Sequence, residues 1–124
     1  MMVNIQIKGI PQVTAKLIMT NKAVSIQVAQ GVKQAGFYVE GQVKDSIAGK
    51  KAEPKSVDTG RFLNSVQTKS PKPLVASVES DVEYGQVLEY GGTNRPARKH
   101  FANTAAREKD KVSQFINNKI KSVI

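Results

Sequence analysis

Between positions 11 and 48, apolar residues recur at spacings of mostly three, four and seven: Val13, Leu17, Val24, Val28, Val32, Ala35, Val39, Val43 and Ile47. That is the period of one helix face. It predicts a helix, or two successive helices, over residues 11–48. Pro11 is placed to open it, because the ring's fixed φ suits a first helical turn. The stripe is mostly valine, a poor helix former, so packing against a second layer has to hold it. Gly31, Gly36 and Gly41 interrupt the segment. Each costs about 1 kcal/mol relative to alanine in a helix interior, and each marks a kink or a close approach of another backbone. A chain of 124 residues builds one modest core, so the second layer has to come from the remaining residues.

Those residues read mainly as strands. Val3, Ile5 and Ile7 alternate with Asn4, Gln6 and Lys8, a period of two that predicts a short strand over residues 1–9. Residues 49–57 form a basic loop around GKKAEPK, with Pro54 and no large apolar side chain, and it is expected to be mobile in an isolated subunit. In VDTGRFLNSV, Asp58 and Thr59 can bond nearby amides and Gly60 supplies an unusual backbone conformation, which predicts a tight structural corner. One helical turn over residues 61–64 then buries Phe62 and Leu63, and a strand starts at Ser65 with Val66 and Thr68 on one face. SPKP, residues 70–73, reads as the next turn.

Leu74, Ala76, Val78 and Val82 alternate with Ser77, Glu79, Asp81 and Glu83, predicting a strand with one apolar and one acidic, solvated face. YGQVLEYGGT is turn-rich, with a strand or short helical turn around residues 86–90. A basic loop over 94–98 precedes a last amphipathic helix over 99–123, whose stripe is Phe101, Ala105, Val112, Phe115, Ile116, Ile120 and Val123. The expected fold is α+β in a single domain, residues 1–124. A long N-terminal amphipathic helix and a C-terminal helix pack on a small, mostly antiparallel sheet, with turn and strands over 58–93.

Charge narrows the partners. Nineteen Lys and Arg stand against ten Asp and Glu, a net charge of +9. That suggests an anionic partner or an acidic surface on a neighbouring subunit. The excess is uneven: the chain reads basic to Lys72, acidic through Glu79, Asp81, Glu83 and Glu89, then basic again from Arg95. The layout is either a set of solvated faces or an assembly in which one subunit's acidic sheet edge meets a neighbour's basic surface. There is no cysteine, which removes disulfides and thiol chemistry. No apolar run approaches the roughly eighteen residues a bilayer span needs. The start, MMVNIQIKGIPQ, lacks the charged opening and long apolar stretch of a signal peptide, so a soluble, unsecreted protein is expected.

Motifs for catalysis are missing. There is no Walker loop, GxGxxG, HExxH or GxSxG. His100 is the single histidine and follows Arg98 and Lys99, which disfavour its charged form. It reads as structural or superficial. Ser65 and Thr59 have no base partner evident in sequence. No enzyme activity, cofactor or metal is expected. No helix-turn-helix, zinc spacing or stacking pattern is present either, so phosphate contact is open but sequence reading is not.

Three segments in order carry a resemblance: VDTGRFLNSV, YGQVLEYGGT and RPARKHF. They resemble the head–tail joining proteins of long-tailed double-stranded DNA bacteriophages, the small neck and tail-completion proteins. The matching positions are Asp58, Thr59, Gly60, Arg61, Ser65, Tyr84, Glu89, Tyr90, Gly91, Thr93, Pro96, Ala97, Arg98 and Phe101. The departures are Gly85, where alanine is commoner; Gly92, which looks inserted; and Lys99 and His100, where proline and an aromatic are commoner. The resemblance implies a structural virion protein without catalytic residues: a ring oligomer, a monomer before assembly, that joins tail to head and lets DNA pass. It implies other neck, connector or tail-tube proteins as partners, contact with passing DNA without sequence preference, no membrane, and a place at the virion's head–tail junction after assembly in the host cytoplasm.

On that reading the corner of Asp58, Thr59 and Gly60 sets the angle of the basic loop, and Lys50, Lys51 and Lys55 dock on a neighbouring ring or subunit. Glu79, Asp81, Glu83 and Glu89 then face Arg95, Arg98 and Lys99 across a subunit contact. The alternative is a small basic nucleic-acid-binding protein without sequence preference.

Overall fold

The computed structural model describes residues 3–8, 22–56, 60–72, 75–92, 94 and 96–121. In chain order the elements are β1 (Val3–Lys8), α1 (Lys22–Ile47), α2 (Arg61–Ser65), β2 (Gln67–Lys72), β3 (Val75–Ser80), α3 (Glu83–Tyr90) and α4 (His100–Lys121). The fold is α+β, as expected. The first part of the predicted long helix, with Val13 and Leu17, lies outside the described residues, as do Asp58, Thr59 and Arg95.

The sheet has the order β1-β3-β2 and both pairings are antiparallel. Ile5 stands opposite Val78 and Ile7 opposite Ala76, while Thr68 faces Val78 from the other side. These residues make the inner face, on which the helices lie. β2 carries a bulge between Lys69 and Lys72. The expected turn at SPKP is therefore partly strand, and Pro71 is tolerated because β2 is an edge. The bulge, and a proline that has no N–H to offer, also protect that edge against pairing with another chain.

The predicted stripe of α1 is the centre of the core. Val28, Val32, Ala35, Val39, Val43 and Ile47 are all buried, with Ile7, Ala76 and Val78 from the sheet and Phe101 and Ile116 from α4. Burial of this stripe offsets the weak helix propensity of its valines. Two of the three glycines are close approaches, and α1 runs through all of them as one helix. A Cβ on Gly36 would lie 2.7 Å from Thr68 Cγ2 and 3.0 Å from Ala76 Cβ, so this glycine lets the helix sit down on the sheet. A Cβ on Gly41 would meet nothing within 4 Å.

Opposite effects follow for one chemical change. Gly41→Ala is expected to raise stability by about 1 kcal/mol, the helix-propensity difference alone. Gly36→Ala is expected to lower it by about 1–3 kcal/mol through overpacking. Denaturant midpoints of the two variants check this; equal shifts would overturn the proposed helix–sheet contact.

The acidic face predicted for the third strand is corrected. Ser77 and Glu79 do point away from the helices, but both are buried. β3 is the central strand, so exposed Asn4 and Gln67 flank Glu79, and Gln6 and Lys69 flank Ser77. Lys69 Nζ sits 2.9 Å from Glu79 Oε1, and Ser77 Oγ donates to Glu79 Oε2 at 3.2 Å. Glu83 is not in a strand at all; it is the first residue of α3. Asp81, just past the strand's end, is exposed.

Candidate functional site

The three motif segments meet in space. Gly60, in the left-handed region at φ +81°, starts α2 and turns Phe62 inward. The Phe62 ring meets Tyr84 edge-on at 5.8 Å between centroids, His100 at 6.2 Å and Phe101 at 6.5 Å. A Cβ on Gly85 would lie 2.8 Å from Phe62 Cε1. Glycine at this position makes room for the ring. Ser65 closes the turn: Val82 N–H donates to Ser80 Oγ at 3.3 Å, Ser80 Oγ lies 2.6 Å from Ser65 Oγ, and Ser65 donates to Phe62 O at 2.6 Å.

Glu89 is the second correction. It was expected at a subunit contact but is buried at the start of α4. Its carboxylate accepts from Phe101 N–H at 2.8 Å and from Ala102 N–H at 2.9 Å. A carboxylate there satisfies two amides that the helix cannot bond internally and complements the helix dipole.

Next to this packing lies a chain of buried polar groups that the sequence did not reveal. Arg107 holds Glu53 through two bonds, both 2.9 Å. Asn103 Nδ2 donates to Glu53 Oε2 at 3.2 Å, and Ser46 Oγ donates to Oε1 at 2.5 Å. Ser46 Oγ lies 2.8 Å from His100 Nδ1, and Ser56 Oγ lies 2.7 Å from His100 Nε2. Arg98 then donates from Nη1 to Ser56 Oγ at 2.9 Å and to Lys55 O at 2.8 Å. Glu53, Ser46 and His100 are all buried, and among the described residues no buried side-chain nitrogen or oxygen lacks a partner.

The proton positions follow from the partners. The Arg107 guanidinium holds the Glu53 carboxyl down at about 2, helped by Ser46 and Asn103 against burial. Glu53 is therefore ionised and only accepts. Ser46 has one proton and gives it to Glu53, so His100 Nδ1 must be the donor to Ser46. Burial pushes the His100 pKa down to about 4; Glu53 opposes this and Arg98 adds to it. The ring is neutral at pH 7, so Nε2 accepts and Ser56 donates to it. Arg98 supplies the remaining donor to Ser56. A base of that pKa is too weak to draw a serine proton efficiently at neutral pH. The arrangement suits holding a loop in place.

The expectation of a mobile basic loop is corrected on the same observations. Glu53 ties residues 49–56 to α1 through Ser46 and to α4 through Arg107, and Ser56 N–H donates to Ile47 O at 2.7 Å. Arg98, expected to face a neighbour's carboxylates, uses Nη1 on the same loop. Lys50, Lys51, Lys55 and Lys99 remain exposed. Lys99 has a left-handed backbone, φ +54°, and that bend lets both Arg98 and His100 reach the loop. The sequence signal for the network was slight: one acid among the lysines of GKKAEPK, and one histidine beside Arg98.

Among the described residues there is no group of three or more metal-ligating side chains, and no helix is long and apolar enough to cross a membrane. Comparison with protein-family models, with curated proteins and with solved structures returns no match.

Proposed function

We propose that this chain is a structural virion protein of the head–tail junction of a long-tailed bacteriophage, in a neck, tail-completion or tail-terminator role, assembling as a ring that joins tail to head. The observation that carries the reading is the use made of the motif residues. Gly60, Ser65, Tyr84, Glu89, Arg98 and Phe101 all serve packing, capping or loop anchoring. That is what a scaffold for subunit contacts needs.

The surface adds support. Tyr84, Val87 and Tyr90 follow one another at helical spacing on α3 and are all exposed, Tyr90 at 71%. Ile26 and Phe37 are exposed on α1. Two apolar surfaces on different elements suit a heterologous contact, which gives a ring where its rotation closes. Glu79 and Glu89 are bound internally, while Asp81 of the acidic stretch is exposed and free for such a contact.

The test pairs assembly with phenotype. A strain lacking the gene is expected to accumulate separate heads and tails under the electron microscope. The purified chain carrying Tyr90→Asp is expected to stay folded and to fail to restore joined particles. Joined, infectious particles from the deletion strain would overturn the reading.

A further inference from the structure

We propose that the two basic loops, residues 49–55 and 96–99, form one surface that binds the phosphate backbone of duplex DNA without reading its sequence. The loops lie more than forty positions apart in the chain. The Arg98 bonds to Lys55 O and Ser56 Oγ, with the Ser56–His100 contact, bring them together. Lys50, Lys51, Lys55 and Lys99 are all exposed there.

What makes the surface cationic is where the acid goes. The one carboxylate of GKKAEPK, Glu53, is turned inward and neutralised by Arg107. It therefore does not offset the lysines beside it. The nearest described acid outside is Asp45, 3.9 Å from a Lys50 side chain that is 71% exposed, a pair worth little in water. The same network orders the loop before any ligand arrives, which lowers the entropic cost of binding.

The chemistry favours DNA over an acidic protein. Lysine is depleted at protein interfaces, where binding rests on buried apolar and aromatic anchors. Between these lysines the loop offers only Ala52 and Pro54. Phosphate contacts need no anchor, only flexible cations that release counterions. No aromatic residue stands in residues 49–55 or 96–99 to stack a base, which points to duplex rather than single strand. The Phe101 and Ala102 amides at the start of α4 are occupied by Glu89, so they are not available to a phosphate. This inference does not depend on the junction role, and its test is made on the purified chain.

Fluorescence anisotropy with a labelled 30-base-pair duplex of mixed sequence, from about 50 to 200 mM salt, reads the effect. Four phosphate contacts give a log–log slope of about −3.5, or roughly a 10²-fold loss of affinity over that range. The variant Lys50→Glu, Lys51→Glu, Lys55→Glu, Lys99→Glu is expected to lose binding with its thermal midpoint unchanged. Lys109→Glu with Lys121→Glu, two exposed positions on α4, is expected to keep most of it. A slope near zero, full affinity in the fourfold variant, or competition by a polyglutamate peptide as effective as by DNA would each overturn the proposal, the last in favour of an acidic protein partner.

Discussion

Replacing Arg107 with alanine is expected to destabilise the fold by about 3 kcal/mol at pH 7, because it leaves the buried Glu53 carboxylate without its partner. For a chain of this length that is roughly a 10 °C fall in thermal midpoint. The double variant Glu53→Ala, Arg107→Ala is expected to lose less than the two single changes added together, since no unpaired charge is left behind. Chemical denaturation of the three variants is the measurement. A shift under about 0.5 kcal/mol in Arg107→Ala would mean that the network does not hold the loop.

The same network sets the response to acid. His100 is held down at about 4 in the folded chain, below the ordinary value of 6.5. Its neutral form is thus favoured by folding, and that contribution is complete above pH 6.5. It is lost as pH falls from 6.5 to 4, where the unfolded chain binds a proton that the folded chain refuses. Glu53, held at about 2 against an ordinary 4.5, contributes above pH 4.5 and loses its contribution as pH falls from 4.5 towards 2. Stability measured against pH should therefore decline in two overlapping limbs, and His100→Gln should remove the upper one. An unchanged upper limb in that variant would contradict the assignment.

Phe62→Ala is expected to cost about 3–5 kcal/mol, the range for emptying a fully buried aromatic site. Phe62 is 1% exposed and is the common neighbour of Tyr84, His100 and Phe101, so the cavity would open between α2, α3 and α4. Gly85 offers an internal check. Gly85→Ala is expected to cost about 1–3 kcal/mol in the native chain, where its methyl would strike Phe62. In the Phe62→Ala background the same methyl enters the cavity, and the change should become neutral or stabilising. Additive losses in the double variant would show that the two residues do not meet as described.

Much of the fold was legible because it follows from period. The 28–47 stripe of α1, the α4 face with Phe101 and Ile116, the alternation of β1 and the single turn that buries Phe62 all lie where spacing and turn chemistry place them. The polar residues were not legible in the same way. Alternation shows that Glu79 and Ser77 point away from the apolar face. It does not show that β3 lies between two strands whose longer side chains cover them. Glu89 reads as one more acid in a surface segment until α4 begins beside it and its carboxylate finds two free amides.

The amino-acid sequence by itself determined the class of fold, the apolar faces that form the core, the positive charge and the corner at Gly60, because each depends on neighbours within a few residues. Only the tertiary structure decided which charges are available to a partner. Ser46, Glu53, His100 and Arg107 stand on three separate stretches of the chain, and their ionisation states follow from contacts that span as many as fifty-four positions. A charge is worth what surrounds it, and no local pattern records that Glu53 faces inward while the lysines beside it face water.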